Sequence, residues 1–178
     1  MAGPLLVLVL VTGVPGAGKS TVADAVGARL GAAVLAHDWA MSGLRPYPAL
    51  QRALDEVDLG HRVVGWSVLA AMARAELRRG RSVVLDGVAR APEIEACGRV
   101  ARDEAGELVV VATVCSDPVL HRSRVEGRRR AIPDWYELEW AEVERSAATW
   151  APPSEAALII DTARAWDDNA VAIAERFG

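Results

Sequence analysis

Phenylalanine occurs once and cysteine twice in the 178 residues, and no apolar run reaches the roughly 18 to 20 residues of a membrane-crossing helix. Cys97 and Cys115 stand in unlike contexts, one on an expected helix and one at the end of an expected strand, with no CxxC or Cys/His ligand spacing. That excludes a disulfide framework or a zinc module as the source of the fold and leaves two free, buried thiols suited to a reducing cytosol. Excess positive charge is lacking too. A net charge of −4 and a pI near 5.4 argue against a generally cationic surface that would hold nucleic acid by its phosphates. The opening run Leu5 to Val11 is short, has no basic flank and passes straight into a glycine-rich turn, so it reads as a buried strand rather than a signal-peptide core. His37, His61 and His121 form no ligand spacing. The expectation is a soluble cytoplasmic protein with no membrane association.

What the chain does have is enough apolar material for a core, with 52% hydrophobic and 25% charged residues, and no repeat or linker that would divide residues 1–178 into two domains. Strand and helix signals alternate along it. Leu5 to Val11, Ala32 to Ala36, Ser82 to Asp86, Leu108 to Cys115 and Ala157 to Asp161 read as strands. Helices are expected over Ser20 to Leu30, Ala49 to Asp58, Val63 to Arg79, from about Pro92, from Asp117-Pro118 into the arginine-rich stretch, over Trp135 to Trp150, and over Asp167 to Phe177. This alternation predicts a three-layer α/β/α sandwich around a mainly parallel five-stranded sheet, in which ligands bind beyond the carboxyl ends of the strands.

Gly13-Val14-Pro15-Gly16-Ala17-Gly18-Lys19-Ser20 matches G-x-x-x-x-G-K-[ST] between a strand and a helix, and Thr21 follows it into that helix. Glycines let backbone N–H groups turn inward around a phosphate, and the helix N-terminus adds its dipole. Lys19 is expected to reach the outer phosphates and Ser20 to ligate Mg²⁺. Asp38, just after the second strand, is the expected general base for an attacking hydroxyl, against the plainer reading of a helix cap. Asp86 ends the third strand in the manner of a Walker B acid, placed to hold Mg²⁺, its water, or the acceptor, with turn capping as the plain alternative.

Between His121 and Arg130 the chain carries five arginines, read as a lid over about residues 120–134 with Gly127 as a hinge, against the plainer reading of a solvated face. Arg124 and Arg128, four apart, are expected to share a helix face and reach phosphate, with Arg129 and Arg130 partly solvent-facing. Trp39, Trp66, Trp135 and Trp140 fall near segments expected to face the site and could stack on an acceptor, whereas Trp140 and Trp150 read more simply as core residues of one amphipathic helix.

With these elements in this order, nearly the whole chain resembles the P-loop kinases of the AAA-type ATPase domain 33 group, near chloramphenicol phosphotransferase, zeta toxin and the kinase domain of polynucleotide kinase. The resemblance implies that Asp38 is the general base and that Arg124 and Arg128 bind phosphates. Polynucleotide kinases carry an Asp-x-x-Asn element after the third strand, whereas this chain has Asp86-Gly-Val-Ala-Arg90, which leaves Arg90 to meet an anionic group. No sensor region or helical lid domain of a ring-forming motor is present.

The expected function is an ATP-dependent kinase acting on a hydroxyl of a small molecule, an antibiotic, nucleoside, sugar or similar metabolite. Residues 39–79, Trp39 included, would shape its acceptor pocket in a monomer or homodimer. A polynucleotide 5′-hydroxyl kinase and a nucleotide-dependent switch are the alternatives. No guanine-reading N-K-x-D is present, which points to ATP.

Overall fold

A computed structural model of the chain describes residues 5–56 and 60–178. Its centre is β1 (Val7–Thr12), which lies between β3 (Val83–Asp86) and β4 (Glu107–Val114), with β2 (Ala33–Ala36) and β5 (Ala156–Asp161) at the two edges of a five-stranded sheet. All the pairings are parallel, so the expected sheet is present and wholly parallel. Around it run α1 (Lys19–Leu30), α2 (His37–Ser42), α3 (Pro48–Glu56), α4 (Gly60–Arg78), α5 (Ala91–Asp103), α6 (Pro118–Glu126), α7 (Trp140–Ala147) and α8 (Trp166–Phe177).

A strand points successive side chains to opposite faces, and β1 is apolar on both. Leu8 and Leu10 pack with Leu69 and Leu77 of α4 and Ile94 and Cys97 of α5, while Val9 and Val11 pack with Val22 and Val26 of α1 and Ile173 of α8. These two separate clusters are why the first strand reads as an unbroken aliphatic run. Cys97 is buried as expected, and burial pushes its thiol up to about 12, whereas Cys115 is only half-buried; both are free.

Register fixes which ends meet. Val11 stands opposite Asp86, and Asp86 stands opposite Ala36, so the chain leaving β1, the acid ending β3 and the residues after β2 emerge in one row. The loop after β3 is tied into that row. The Ala89 amide donates to Thr12 Oγ1 at 2.9 Å, and Thr12 Oγ1 donates back to the Ala89 carbonyl at 3.2 Å.

Two segments differ from their expected form. The helix read over Trp135 to Trp150 is only α7, Trp140–Ala147. Upstream, Asp134 takes a left-handed φ of 56°, and the Tyr136 carbonyl accepts from Arg130 Nη2 at 2.9 Å instead of serving a helical turn. α7 starts where the Glu139 amide donates to Glu142 Oε2 at 2.9 Å. Trp140 and Trp150 are therefore not core residues of one helix: both are half-buried, and Trp150 lies beyond α7, donating its Nε1–H to the Ala89 carbonyl at 3.2 Å. The stretch Met41 to Pro48 read as loop begins inside α2, and the Asp58 end of the helix expected from Ala49 lies outside the described residues. The Asp117 cap is as expected, its Oδ1 accepting from the Val119 and Leu120 amides.

Because Leu10 is fully buried in the central strand, Leu10→Ala should lower unfolding free energy by about 2–5 kcal/mol in urea titration.

Candidate functional site

Residues Gly13 to Ser20 wrap the carboxyl end of β1, and Gly16 and Gly18 hold φ of +82° and +81°, a region side chains seldom enter. The loop is braced from outside. His121 Nε2 meets the Pro15 carbonyl at 2.8 Å and so carries the proton it donates there, and His121 packs edge-on against Trp140, with ring centroids 5.2 Å apart. Arg124 donates from Nη1 to Thr162 Oγ1 and from Nη2 to the Thr162 carbonyl, both at 2.9 Å, and Thr162 backs onto Gly18.

At the mouth of α1, Lys19 donates its Nζ to the Val14 carbonyl at 3.2 Å. It is the only lysine in the chain. Burial pulls its ammonium below the usual 10.5, against the charges of Asp86 and Asp38, which raise it. Ser20 Oγ donates to Asp86 Oδ2 at 2.8 Å. Asp86 is 4% exposed, and burial lifts its carboxyl above the usual 3.8, with Lys19 and Ser20 pulling the other way. Its Oδ1 is buried with no hydrogen-bond partner.

That orphaned oxygen beside a serine hydroxyl fits a hard cation, and Mg²⁺ suits it best because that ion takes one or two protein oxygens and completes its shell with phosphate and water. The described residues hold no cluster of three or more acidic, histidine or cysteine ligands. Ser20 and Asp86 would hold it, and Lys19 with the loop amides would hold the phosphates.

Asp38 sits in the first turn of α2, in the same cleft. Burial raises its carboxyl, but the hydrogen bond from His37 and the charges of Arg130, Lys19 and His37 outweigh that and hold it below 3.8. Its direct partner is Arg130, an ion pair through Oδ2. This corrects the expectation for the arginine run. α6 stops at Glu126, so Arg124 and Arg128 do not share a helix face, and Arg130, expected to face solvent, is 6% exposed between Asp38, Glu137 and the Tyr136 carbonyl. Arg129 is exposed as expected. Arg128 is half-buried and electrostatically coupled to Lys19, Asp38 and Asp86; burial and Arg130 both lower its affinity for a proton.

The cleft encloses about 1620 Å³ and takes in Pro15, Gly16, Gly18 through Thr21, Asp38, Trp39, Asp86, Arg124 and Arg128. Gly13, Val14 and Ala17 form the loop's buried underside. Arg90 is not among the lining residues; its Nη2 donates to Thr149 Oγ1 at 3.1 Å, beside α7. Of the tryptophans read as site-facing, Trp39 and Trp135 line the cleft, Trp66 is buried in the core, and Trp140 lies against His121 on the other side of α6. Spacing gave no sign of Arg62, Tyr136 or Trp166, which also line the cleft from loops and helix ends.

A wholly parallel sheet with this order, a phosphate loop on its central strand and two carboxylates at the neighbouring strand ends define a P-loop nucleotide-binding protein with the kinase-type fold. A family model described as an AAA domain, AAA_33, matches residues 8–153, and the chain belongs to that family. It is 34% identical over 148 residues to a UPF0200 protein of Aeropyrum pernix, covering 78% of this chain and 73% of that one. Among solved structures it is similar to a gluconokinase from Sinorhizobium meliloti, with a TM-score of 0.68 at 18% identity over 99% of this chain and 93% of that one. It is also similar to Kti12 from Chaetomium thermophilum in complex with ADP-AlF3, with a TM-score of 0.70 at 15% identity over 96% and 97%. No helix among the described residues is long and apolar enough to cross a membrane.

The raised Asp86 carboxyl means that the native fold keeps this proton to higher pH than the unfolded chain, so ionising Asp86 costs stability as pH rises through its native value. Asp86→Asn should unfold at an equal or higher denaturant midpoint than wild type at pH 7 without nucleotide or metal, while Mg²⁺-dependent ATP affinity falls by about tenfold or more in calorimetry.

Proposed function

We propose that the protein is an ATP-dependent kinase that transfers the γ-phosphate to a hydroxyl of a small molecule, with Asp38 as the general base. The observation that carries this reading is the convergence of Asp38 with Lys19, Ser20 and Asp86 in one cleft, at the ends of adjacent strands. A nucleotide-binding loop alone needs no further carboxylate; a kinase needs one that stays ionised near the transferring group and can accept the proton of the attacking hydroxyl.

The residues divide the task physically. The loop amides and Lys19 orient the phosphates, Ser20 and Asp86 hold Mg²⁺, which supplies charge neutralisation on those phosphates when bound, and Arg128 stands where charge on the moving phosphoryl group would be met. Asp38, once its Arg130 partner moves aside, takes the acceptor's proton at a carboxylate oxygen. Several structures of similar fold are sugar, gluconate, adenosine phosphosulfate and shikimate kinases, which agrees with a small hydroxyl acceptor. A nucleotide-dependent switch is the competing reading, favoured by the closure of Asp38 on Arg130.

Incubating metabolite pools with γ-labelled ATP separates the two. Wild type should label an acceptor, and Asp38→Asn should lose about 10²–10⁴-fold of that transfer with ATP affinity retained. Slow ATP hydrolysis unchanged by Asp38→Asn, with no labelled product in any pool, would favour the switch.

A further inference from the structure

The proposed kinase reading leaves the acceptor's chemistry open, and the walls around Asp38 carry an inference about it that rests on that reading. The cleft volume of about 1620 Å³ exceeds the 300–1,000 Å³ usual for one ligand, so a small acceptor fits beside a nucleotide. One end is the phosphate loop; the other is the surround of Asp38.

Large apolar side chains stand exposed at that second end. Trp39, next to Asp38 in α2, is 56% exposed, and Met72 of α4 and Tyr136 are each 45% exposed, yet all three line the cleft. Scattered apolar residues on a convex surface need no explanation, but a group gathered in one concavity beside a reactive carboxylate does. Core packing does not account for it, since Trp66 fills the core beneath while Trp39 is left out of it.

The aromatic group is held in place. Trp135 and Tyr136 have ring centroids 5.1 Å apart, and Arg45 lies over both, 5.5 and 5.3 Å from their centroids, while its Nε–H donates to the Asp134 carbonyl at 3.0 Å. Arg130 links this pair to the base, since one guanidinium donates both to the Tyr136 carbonyl and to Asp38. A stacked aromatic pair and a tryptophan thus flank the carboxylate.

Several polar groups at this end are already engaged. Arg62 pairs with Glu93 at 2.7 Å, His37 Nε2 meets the Arg62 carbonyl at 3.2 Å, and Arg130 holds Asp38 and Glu137. A polyhydroxylated acceptor would set hydroxyls against Trp39, Trp135 and Tyr136 and against these engaged groups, at a cost for each one left unmatched. A flat apolar body meets no such cost and gains stacking.

We infer that the acceptor is a small alcohol whose body is planar and largely apolar, seated on Trp39, Trp135 and Tyr136 with its reacting hydroxyl directed to Asp38. A sugar acid or a polyol offers these three side chains no flat apolar face to stack on.

The test uses matched ligands on the full chain with Mg²⁺ and the non-hydrolysable AMPPNP at saturation: 3-phenoxy-1,2-propanediol, 3-methoxy-1,2-propanediol and gluconate, titrated by ligand-observed NMR. The phenoxy compound should bind about tenfold tighter than the methoxy compound. Trp39→Ala should remove that difference and Trp39→Phe should restore most of it, with thermal unfolding checked for each variant. Equal affinities, undetectable binding of both, tighter gluconate binding, or a ring preference that survives Trp39→Ala would overturn the inference. Salt-sensitive binding of a single-stranded oligonucleotide that depends on Trp39 would overturn it by assigning the wall to nucleic acid. Because AMPPNP does not react, the outcome is independent of transfer: a Trp39-dependent ring preference with no labelled product in the γ-ATP screen defeats the kinase reading alone, and labelled polyols without a ring preference defeat this inference alone.

Discussion

Parallel pairing of β1 with β3, and of β3 with β2, is the constraint from which the site follows. With Val11 opposite Asp86 and Asp86 opposite Ala36, the chain leaves each strand at the same height and on the same edge of the sheet. The phosphate loop, the acid bonded to Ser20 and the carboxylate of Asp38 are then neighbours although 66 residues separate the first pair in sequence. A shift of one residue in either pairing would turn the strand side chains to the wrong layer, exposing valines that now lie buried among α1 and α8. The two apolar clusters therefore guard the functional geometry as well as the fold.

Charge completes what register begins. Lys19 lies between two carboxylates that meet opposite fates: Asp86 is buried and pushed toward its neutral form, Asp38 is held ionised by His37, Arg130 and Lys19. An acid favouring neutrality in the free fold is relieved by a cation, and an acid kept ionised by a cation gains basicity when that cation moves away. Arg130 holds Asp38 in an ion pair, so on the proposed kinase reading opening that pair and engaging an acceptor would be one event.

Much of this was legible in the sequence because it depends on local rules. The loop needs glycine at positions of positive φ, a parallel strand needs apolar residues on both faces, and both requirements are written at consecutive positions from Leu5 to Ser20. The placement of Asp38 followed from strand-end logic. What spacing could not give depends on irregular backbone. Arg124 and Arg128 look paired by their interval, but Glu126 ends the helix, and the chain beyond it turns Arg130 inward. The tryptophan-bearing stretch has helical periodicity, yet the Arg130 contacts to Glu137 and Tyr136 hold it out of a helix until Glu139. Cation stacking between Arg45 and the Trp135–Tyr136 pair joins segments far apart in sequence, and no local pattern announces it.

A crystal structure with Mg²⁺, ADP and aluminium fluoride would show directly whether Asp38 faces the transferring group. The phosphates should lie inside the Gly13–Ser20 loop, with Mg²⁺ in contact with Ser20 and on the Asp86 side and the fluoride group facing an Asp38 released from Arg130. Fluoride turned away from Asp38, with the Asp38–Arg130 pair still closed, would contradict it.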